Sequence, residues 1–237
     1  MSAPVFLHDD LTADRLVLSG PEGRHAATVR RLRAGEAVDL VDGRGGRASC
    51  EVAGVASDEV LLDVRSRAFE PEPEPRLVLV QALAKGDRGE LAVETATEVG
   101  VDEIVPWAAA RCVVRWEGAR GEKAHARWQA TAREAAKQSR RSRVPVVAPP
   151  ATTAQVAERL LRSCALVLSE DARLPLSQVE LPEVGEIVLV VGPEGGMTPE
   201  EVARMGAVPV RLGPTVLRTS TAGAAAAAVV SSRSGRW

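Results

Sequence analysis

The chain has 237 residues, 45% of them hydrophobic and 26% charged, with a formal net charge of −2. At roughly 150 residues per domain this suits one or two domains, and a core that needs no disulfide or metal staples. No run of about 18 apolar residues and no basic-then-apolar leader is present, so neither a membrane-spanning helix nor a secretory signal is expected.

The N-terminal third reads as short strands: Arg15 to Leu18, Ala37 to Val41, Ala48 to Val52 and Val60 to Val64, punctuated by Gly20-Pro21 and Asp42 to Gly46. One helical piece, Glu22 to Leu32, lies between the first two strands. That density of strands predicts a small β-barrel over residues 1–68. Phe69-Glu-Pro-Glu-Pro-Glu-Pro75 then marks a boundary, because alternating Pro and Glu suits neither helix nor ladder.

Residues 76–237 alternate strand and helix. The expected strands are Leu77 to Leu83, Glu103 to Pro106, Ala165 to Leu168, Ile187 to Val191 and Val208 to Arg211. Between and after them lie helices over Asp87 to Val99, closed by Gly100, and over Gly121 to Arg140, Ala154 to Arg162 and Ala222 to Ser231. Another helix is announced by Thr198 as N-cap, Pro199 at the first position and Glu201 completing a capping box. The pattern predicts an α/β domain built on a mostly parallel sheet.

Charge is unevenly spread. Arg outnumbers Lys 27 to 3, Arg24 to Arg33 holds four Arg and no acid, and Arg111 to Arg143 holds ten cations against three Glu. Arg presents a planar fork of donors matched to phosphate, so these stretches are either solvated faces or RNA-binding surfaces. The helix Gly121 to Arg140 is open to three readings: solvated, packed in a dimer, or tracking phosphates.

Two strand-end loops stand out. Val190-Val-Gly-Pro-Glu-Gly-Gly-Met-Thr198 runs from a buried strand through Gly192, Gly195 and Gly196 into a capped helix. Its spacing fits neither a dinucleotide fingerprint nor a P-loop, leaving a ligand site or a tight turn. Leu212-Gly-Pro-Thr-Val-Leu-Arg-Thr-Ser-Thr-Ala222 repeats the arrangement with Gly213, Arg218 and three consecutive hydroxyls. Strand ends of open α/β sheets are where ligands bind, and two such loops can converge on one pocket. In Lys85-Gly-Asp-Arg88, Asp87 is the expected N-cap of the next helix. His8, His25 and His125 have no metal spacing, and no nucleophile–base motif occurs. The three cysteines, Cys50, Cys112 and Cys164, are odd in number and far apart, and are expected as reduced thiols in a cytoplasmic protein.

Taken in order, several landmarks resemble one family. They are His25 with Arg30-Arg-Leu-Arg33, Asp42-Gly, Lys85-Gly-Asp-Arg88, Ala96-Thr-Glu-Val-Gly100, Arg111 with Val113-Val114, and Arg127-Trp128. Glu134 to Arg140, Gly192-Pro-Glu-Gly-Gly196, Leu212-Gly, Leu217-Arg-Thr219 and Thr221-Ala222 complete the set. The chain resembles the ribosomal RNA small subunit methyltransferase E family over nearly its whole length. The resemblance implies a PUA-like N-terminal barrel, a SPOUT-type α/β domain with a deep trefoil knot, and a homodimer. It implies S-adenosylmethionine as cofactor, no metal, and methylation of N3 of a uridine in 16S ribosomal RNA or the small ribosomal subunit, uridine 1498 by analogy.

It further implies a cofactor site made of Leu168, Val191, Gly192, Pro193, Glu194, Gly195, Gly196, Leu212, Gly213, Leu217, Arg218, Thr219 and Ala222. Arg218 is the candidate for stabilising charge on the base and Glu194 the candidate general base. RNA would be held by Arg24, Arg30, Arg31, Arg33, Lys85, Arg88, Arg111, Arg140 and Arg141. The alternatives are a knotted ribose 2′-O-methyltransferase and a non-catalytic RNA-binding assembly factor. Three departures stand out. Ser220 replaces a common Glu, Ala3-Pro-Val-Phe6 lacks a basic residue beside its aromatic, and Gly89 replaces a common Met, which is expected to loosen packing.

Overall fold

A computed structural model describes residues 3–237. The chain divides into two units: Met1–Glu72 with Ala136–Val144, and Pro73–Ala135 with Pro145–Trp237.

The first unit is a five-stranded sheet in the order β1-β3-β4-β5-β2. Its strands are β1 (Val5–Leu7), β2 (Arg15–Leu18), β3 (Ala37–Val41), β4 (Gly46–Ala56) and β5 (Glu59–Phe69). β1 pairs parallel to β3 and the other pairs are antiparallel. In β2, β4 and β5 buried residues alternate with more exposed ones, the signature of a sheet covered on one face. β1 escapes sequence reading because it is three residues long and wholly buried, so it shows no alternation. Among the described residues the expected barrel is not closed by hydrogen bonds, since β1 and β2 stand at opposite ends of the ladder. Instead the segment between β2 and β3 contributes Ala26 and Leu32 to the core formed by Phe6, Leu18, Leu40 and Leu62.

That segment is not one helix. A short helix α1 (Gly20–Arg24) passes into a π-helical turn, His25–Val29, where Arg30 N–H reaches the His25 carbonyl. Arg31 then takes a left-handed φ of 54° and ends it. Arg30, Arg31 and Arg33 therefore sit on an exposed loop after the π turn, not on a helix face.

Residues 136–144 belong to this unit through specific contacts. Lys137 Nζ donates to Glu22 Oε1 at 2.8 Å with its side chain only 4% exposed. Arg47 donates to the Arg140 carbonyl, Gly45 N–H to the Ser142 carbonyl, and Arg143 to the Glu70 carbonyl. Lys137 is thus spent on a buried ion pair, although it lies in the basic stretch. Arg140 and Arg141 fall in this unit with Arg24, Arg30, Arg31 and Arg33, not with residues 76–237 as the sequence suggests.

The second unit carries a six-stranded, wholly parallel sheet in the order β11-β9-β10-β6-β7-β8. In chain order it comprises β6 (Arg76–Ala82), α2 (Arg88–Glu98), β7 (Glu103–Trp107), α3 (Gly118–Gln138, its last residues grouped with the first unit) and β8 (Val146–Val147). After these come α4 (Thr153–Leu160), β9 (Cys164–Leu168), β10 (Glu186–Val191), α5 (Pro199–Met205), β11 (Val208–Val210) and α6 (Thr219–Arg233). The central β6 and β10 are buried from Leu77 to Ala82 and from Ile187 to Val191, which explains their unbroken apolar sequences.

α6 packs on α2 and lies over β10 and β6. Its small residues are needed there: a Cβ at Gly223 would come within 2.9 Å of Leu79 Cδ2. Gly89 serves a similar purpose on α2, because a Cβ would come within 2.9 Å of the Trp128 indole. The expected loosening is therefore reversed, since at Gly89 the missing side chain lets Trp128 pack against backbone. Asp87 is the N-cap of α2 as expected, although its side chain makes no capping hydrogen bond, and Gly100 closes the helix at φ 94°. At the amino edge of the sheet Arg76, Glu103, Arg159 and Glu186 form a half-buried ion network.

Candidate active site

The carboxyl ends of β10, β9 and β11 are neighbours because the three strands are adjacent and parallel. The loops that leave them, with the start of α6, enclose a cavity of about 800 Å³. Every residue assigned to the cofactor from the sequence lines it: Leu168, Val191, Gly192, Pro193, Glu194, Gly195, Gly196, Leu212, Gly213, Leu217, Arg218, Thr219 and Ala222.

The local chemistry explains the loops. Thr198 caps α5 through Glu201 N–H, and Glu201 returns a carboxylate oxygen to Thr198 N–H, so the predicted capping box is complete. Gly196 adopts φ 72°, a conformation that costs L side chains about 1–2 kcal/mol. A Cβ there would meet nothing nearer than the Arg111 guanidinium at 3.8 Å, and one at Gly213 would meet nothing within 4 Å. The loop backbone is left bare where a ligand would approach it.

α6 opens at Arg218, whose carbonyl accepts from Thr221 and Ala222 N–H. The Arg218 side chain is exposed and makes no hydrogen bond or ion pair among the described residues. Beneath this turn the wholly buried Gln81 donates to the Thr219 carbonyl at 3.3 Å, tying the head of α6 to the end of β6. Ser220 is 3% exposed inside α6 and does not line the cavity.

Glu194 Oε1 lies 3.4 Å from Arg88 Nη1, an exposed pair of modest worth. Arg88, assigned to RNA from the sequence, thus stands in the cavity wall. Arg111 Nη1 donates to the Gly195 carbonyl at 3.1 Å, so this second RNA candidate touches the glycine loop. Lys85 is exposed before α2.

Sequence reading missed Ser169, Glu170 and Asp171 after β9, and Met197, Arg211 and Thr215 in the other loops, all of which line the cavity. The available signal was position: each follows or flanks a strand end already singled out. No cysteine is poised as a nucleophile. Burial pushes the Cys50 thiol up to about 11, and burial raises the Cys112 and Cys164 thiols as well. Among the described residues no cluster of three potential metal ligands exists and no helix is long and apolar enough to cross a membrane.

Comparison with known proteins agrees with this geometry. An RNA methyltransferase domain family matches residues 70–231 and an RNA methyltransferase PUA domain family matches residues 18–65. The chain is 45% identical to ribosomal RNA small subunit methyltransferase E of Mycobacterium bovis, covering 100% of this chain and 94% of that protein. It is 32% identical to the Bacillus subtilis protein of the same name, over 86% of this chain and 85% of the other. Among solved structures, ribosomal RNA small subunit methyltransferase E of Neisseria gonorrhoeae, bound to S-adenosyl methionine, superposes with a TM-score of 0.84 at 30% identity and covers 98% of both chains. A Legionella pneumophila protein in complex with the same cofactor gives 0.85 at 26% identity, again over 98% of both. With two matching domain families, a relative this similar along the full chain and strand-end loops that meet in one cavity, the chain belongs to the ribosomal RNA small subunit methyltransferase E family.

Proposed function

We propose that this protein transfers a methyl group from S-adenosylmethionine to N3 of a uridine in 16S ribosomal RNA, uridine 1498 by family. The observation that carries the reading is the meeting of both glycine-bearing loops and the unpaired Arg218 in one cavity at parallel strand ends. The cavity size and the bare backbone of Gly196 and Gly213 fit a nucleoside-sized cofactor. Bound there, S-adenosylmethionine supplies an electrophilic methyl on a sulfonium.

The chain's own residues supply position and charge. Loops 192–197 and 212–218 hold the donor, and placing donor and base together supplies most of the acceleration. N3 of uridine must give up its proton, and negative charge then spreads onto the uracil oxygens. Arg218 stabilises that charge, and Glu194, at the same cavity wall, receives the proton. N3 lies on the pairing edge, so the target uridine is unpaired or splayed from its stack. Arg24, Arg30, Arg31, Arg33, Arg140 and Arg141 of the first unit, with Lys85, Arg88 and Arg111 of the second, hold the RNA backbone.

The reading carries three further features: a deep trefoil knot, a homodimer and action in the cytoplasm on the small subunit or its RNA. Support for the knot comes from strand order, since β10 enters between β6 and β9, both laid down earlier, before α6 returns over β10 and β6. Nucleoside mass analysis and modification mapping of 16S RNA, with and without the protein, test the reaction. 3-Methyluridine that depends on the protein is expected; 2′-O-methylation would move the reading to the ribose, and no modification would leave a binding factor.

A further inference from the structure

Glu201 reads in sequence as the ordinary end of a capping box. In the structure the residue is 6% exposed, and its carboxylate serves three partners from three segments. Oε2 accepts from Thr198 N–H at 3.0 Å, the local cap. Oε1 accepts from Ala110 N–H at 2.8 Å and from Thr153 Oγ1 at 3.1 Å, and Thr153 in turn accepts from the Trp107 indole N–H. The next residue after Ala110 is Arg111, whose guanidinium holds the Gly195 carbonyl. The glycine loop is therefore tied to the segment after β7 at two points, at its end through Glu201 and in its middle through Arg111. A Cβ at Gly195 would lie 3.3 Å from Arg111 Cβ, so the two segments are also in close contact.

We propose that Glu201 is a positioning residue that sets the cofactor affinity of the cavity by bracing the 192–198 loop against residues 109–111. The inference rests on the cavity being the S-adenosylmethionine site. Three of the loop's residues, Gly192, Gly195 and Gly196, have no side chain to hold their place, so the loop relies on outside ties. A buried carboxylate is suited to this because all three partners are donors and it only accepts. Glutamine has the same shape but would turn an NH₂ donor toward either Ala110 N–H or Thr198 N–H, leaving two donors face to face.

The test is calorimetric titration of S-adenosylmethionine into the full chain and into Glu201→Gln and Arg111→Ala, without RNA. Glu201→Gln is expected to bind roughly tenfold more weakly, the loss typical of a charge-assisted hydrogen bond. Arg111→Ala, an exposed change that spares the core, is expected to bind more weakly by a smaller factor. In methylation assays with saturating RNA, cofactor KM should rise in both variants while kcat of Glu201→Gln is largely kept. A purely structural role would lower the thermal midpoint and the active fraction, and hence kcat, without moving KM. Parental affinity in both folded variants overturns the brace. If Glu201→Gln fails to fold, Arg111→Ala alone decides, and parental affinity there overturns the proposal. Failure of the unsubstituted protein to bind S-adenosylmethionine would instead defeat the assignment of the cavity.

Discussion

In the first unit β4 and β5 form a hairpin of two 11-residue strands, along part of which buried residues alternate with more exposed ones. In the second, β6 and β10 lie parallel and buried almost from end to end. An antiparallel hairpin sends its strand ends to both edges and can leave one face to solvent. A parallel sheet needs cover on both faces and sends every carboxyl end to a single edge. The cavity follows from the second arrangement: three neighbouring strands release their loops side by side. The first unit instead collects exposed Arg on irregular backbone, after the π turn and at Arg140. In the function proposed above, one region takes a small ligand and the other an extended polyanion.

The strongest way to break this comparison is to open each core in turn. Leu189 in β10 and Leu62 in β5 are both wholly buried, and truncation of either to Ala should cost about 2–5 kcal/mol in urea unfolding. Leu189→Ala should also weaken S-adenosylmethionine binding, whereas Leu62→Ala should leave it intact below the unfolding transition. Loss of binding in both would show that the two regions are not functionally separable.

Arg218→Ala comes next. Removal of a preorganised donor aimed at developing charge typically costs about 10²-fold in kcat, and rapid-quench methyl transfer at saturating cofactor and RNA should show a drop of that order. Its helix-capping duty is performed by the backbone carbonyl, so the thermal midpoint should hold. An unchanged kcat would remove Arg218 from the chemistry.

Two glycines sharpen the comparison through cofactor affinity. Gly196 and Gly235 share nearly the same strained backbone, with φ 72° and 74°, but only Gly196 lines the cavity. Gly196→Trp should lower S-adenosylmethionine affinity by more than about tenfold through filling and strain. Gly235→Trp should carry the strain alone and leave affinity unchanged; equal losses would mean that strain, not occupancy, is being read.

The smallest effect is expected from the first unit. Replacing Arg30, Arg31 and Arg33 together by Ala should weaken RNA binding and flatten its salt dependence by about 2 in log–log slope, at roughly 0.7 per phosphate contact. Filter binding across a salt series reads this directly. Cofactor affinity should not move. An unaltered slope would assign the cluster to solvation.

Much of the local structure was legible in the sequence because its causes are local. The Thr198–Glu201 box, the Gly100 stop and the alternating strands each depend on residues a few positions apart. The glycine loops were legible as bare backbone at strand ends, and all the residues they nominated meet in the cavity. What stayed hidden depends on partners far along the chain. Lys137 looks like one more cation until Glu22 buries it, Gly89 looks like a gap until Trp128 fills it, and Glu201 looks like a cap until Ala110 and Thr153 converge on it. Strand order is of the same kind. Apolar runs specify that β6 and β10 are buried, but only pairing and packing place β10 between β6 and β9 and bring three strand ends together. The sequence by itself thus determined the elements, their caps and the residue types of the site. The tertiary structure decided which edge they share and which charges are left free to act, because hydrogen-bond pairing and burial are settled between segments and not within them.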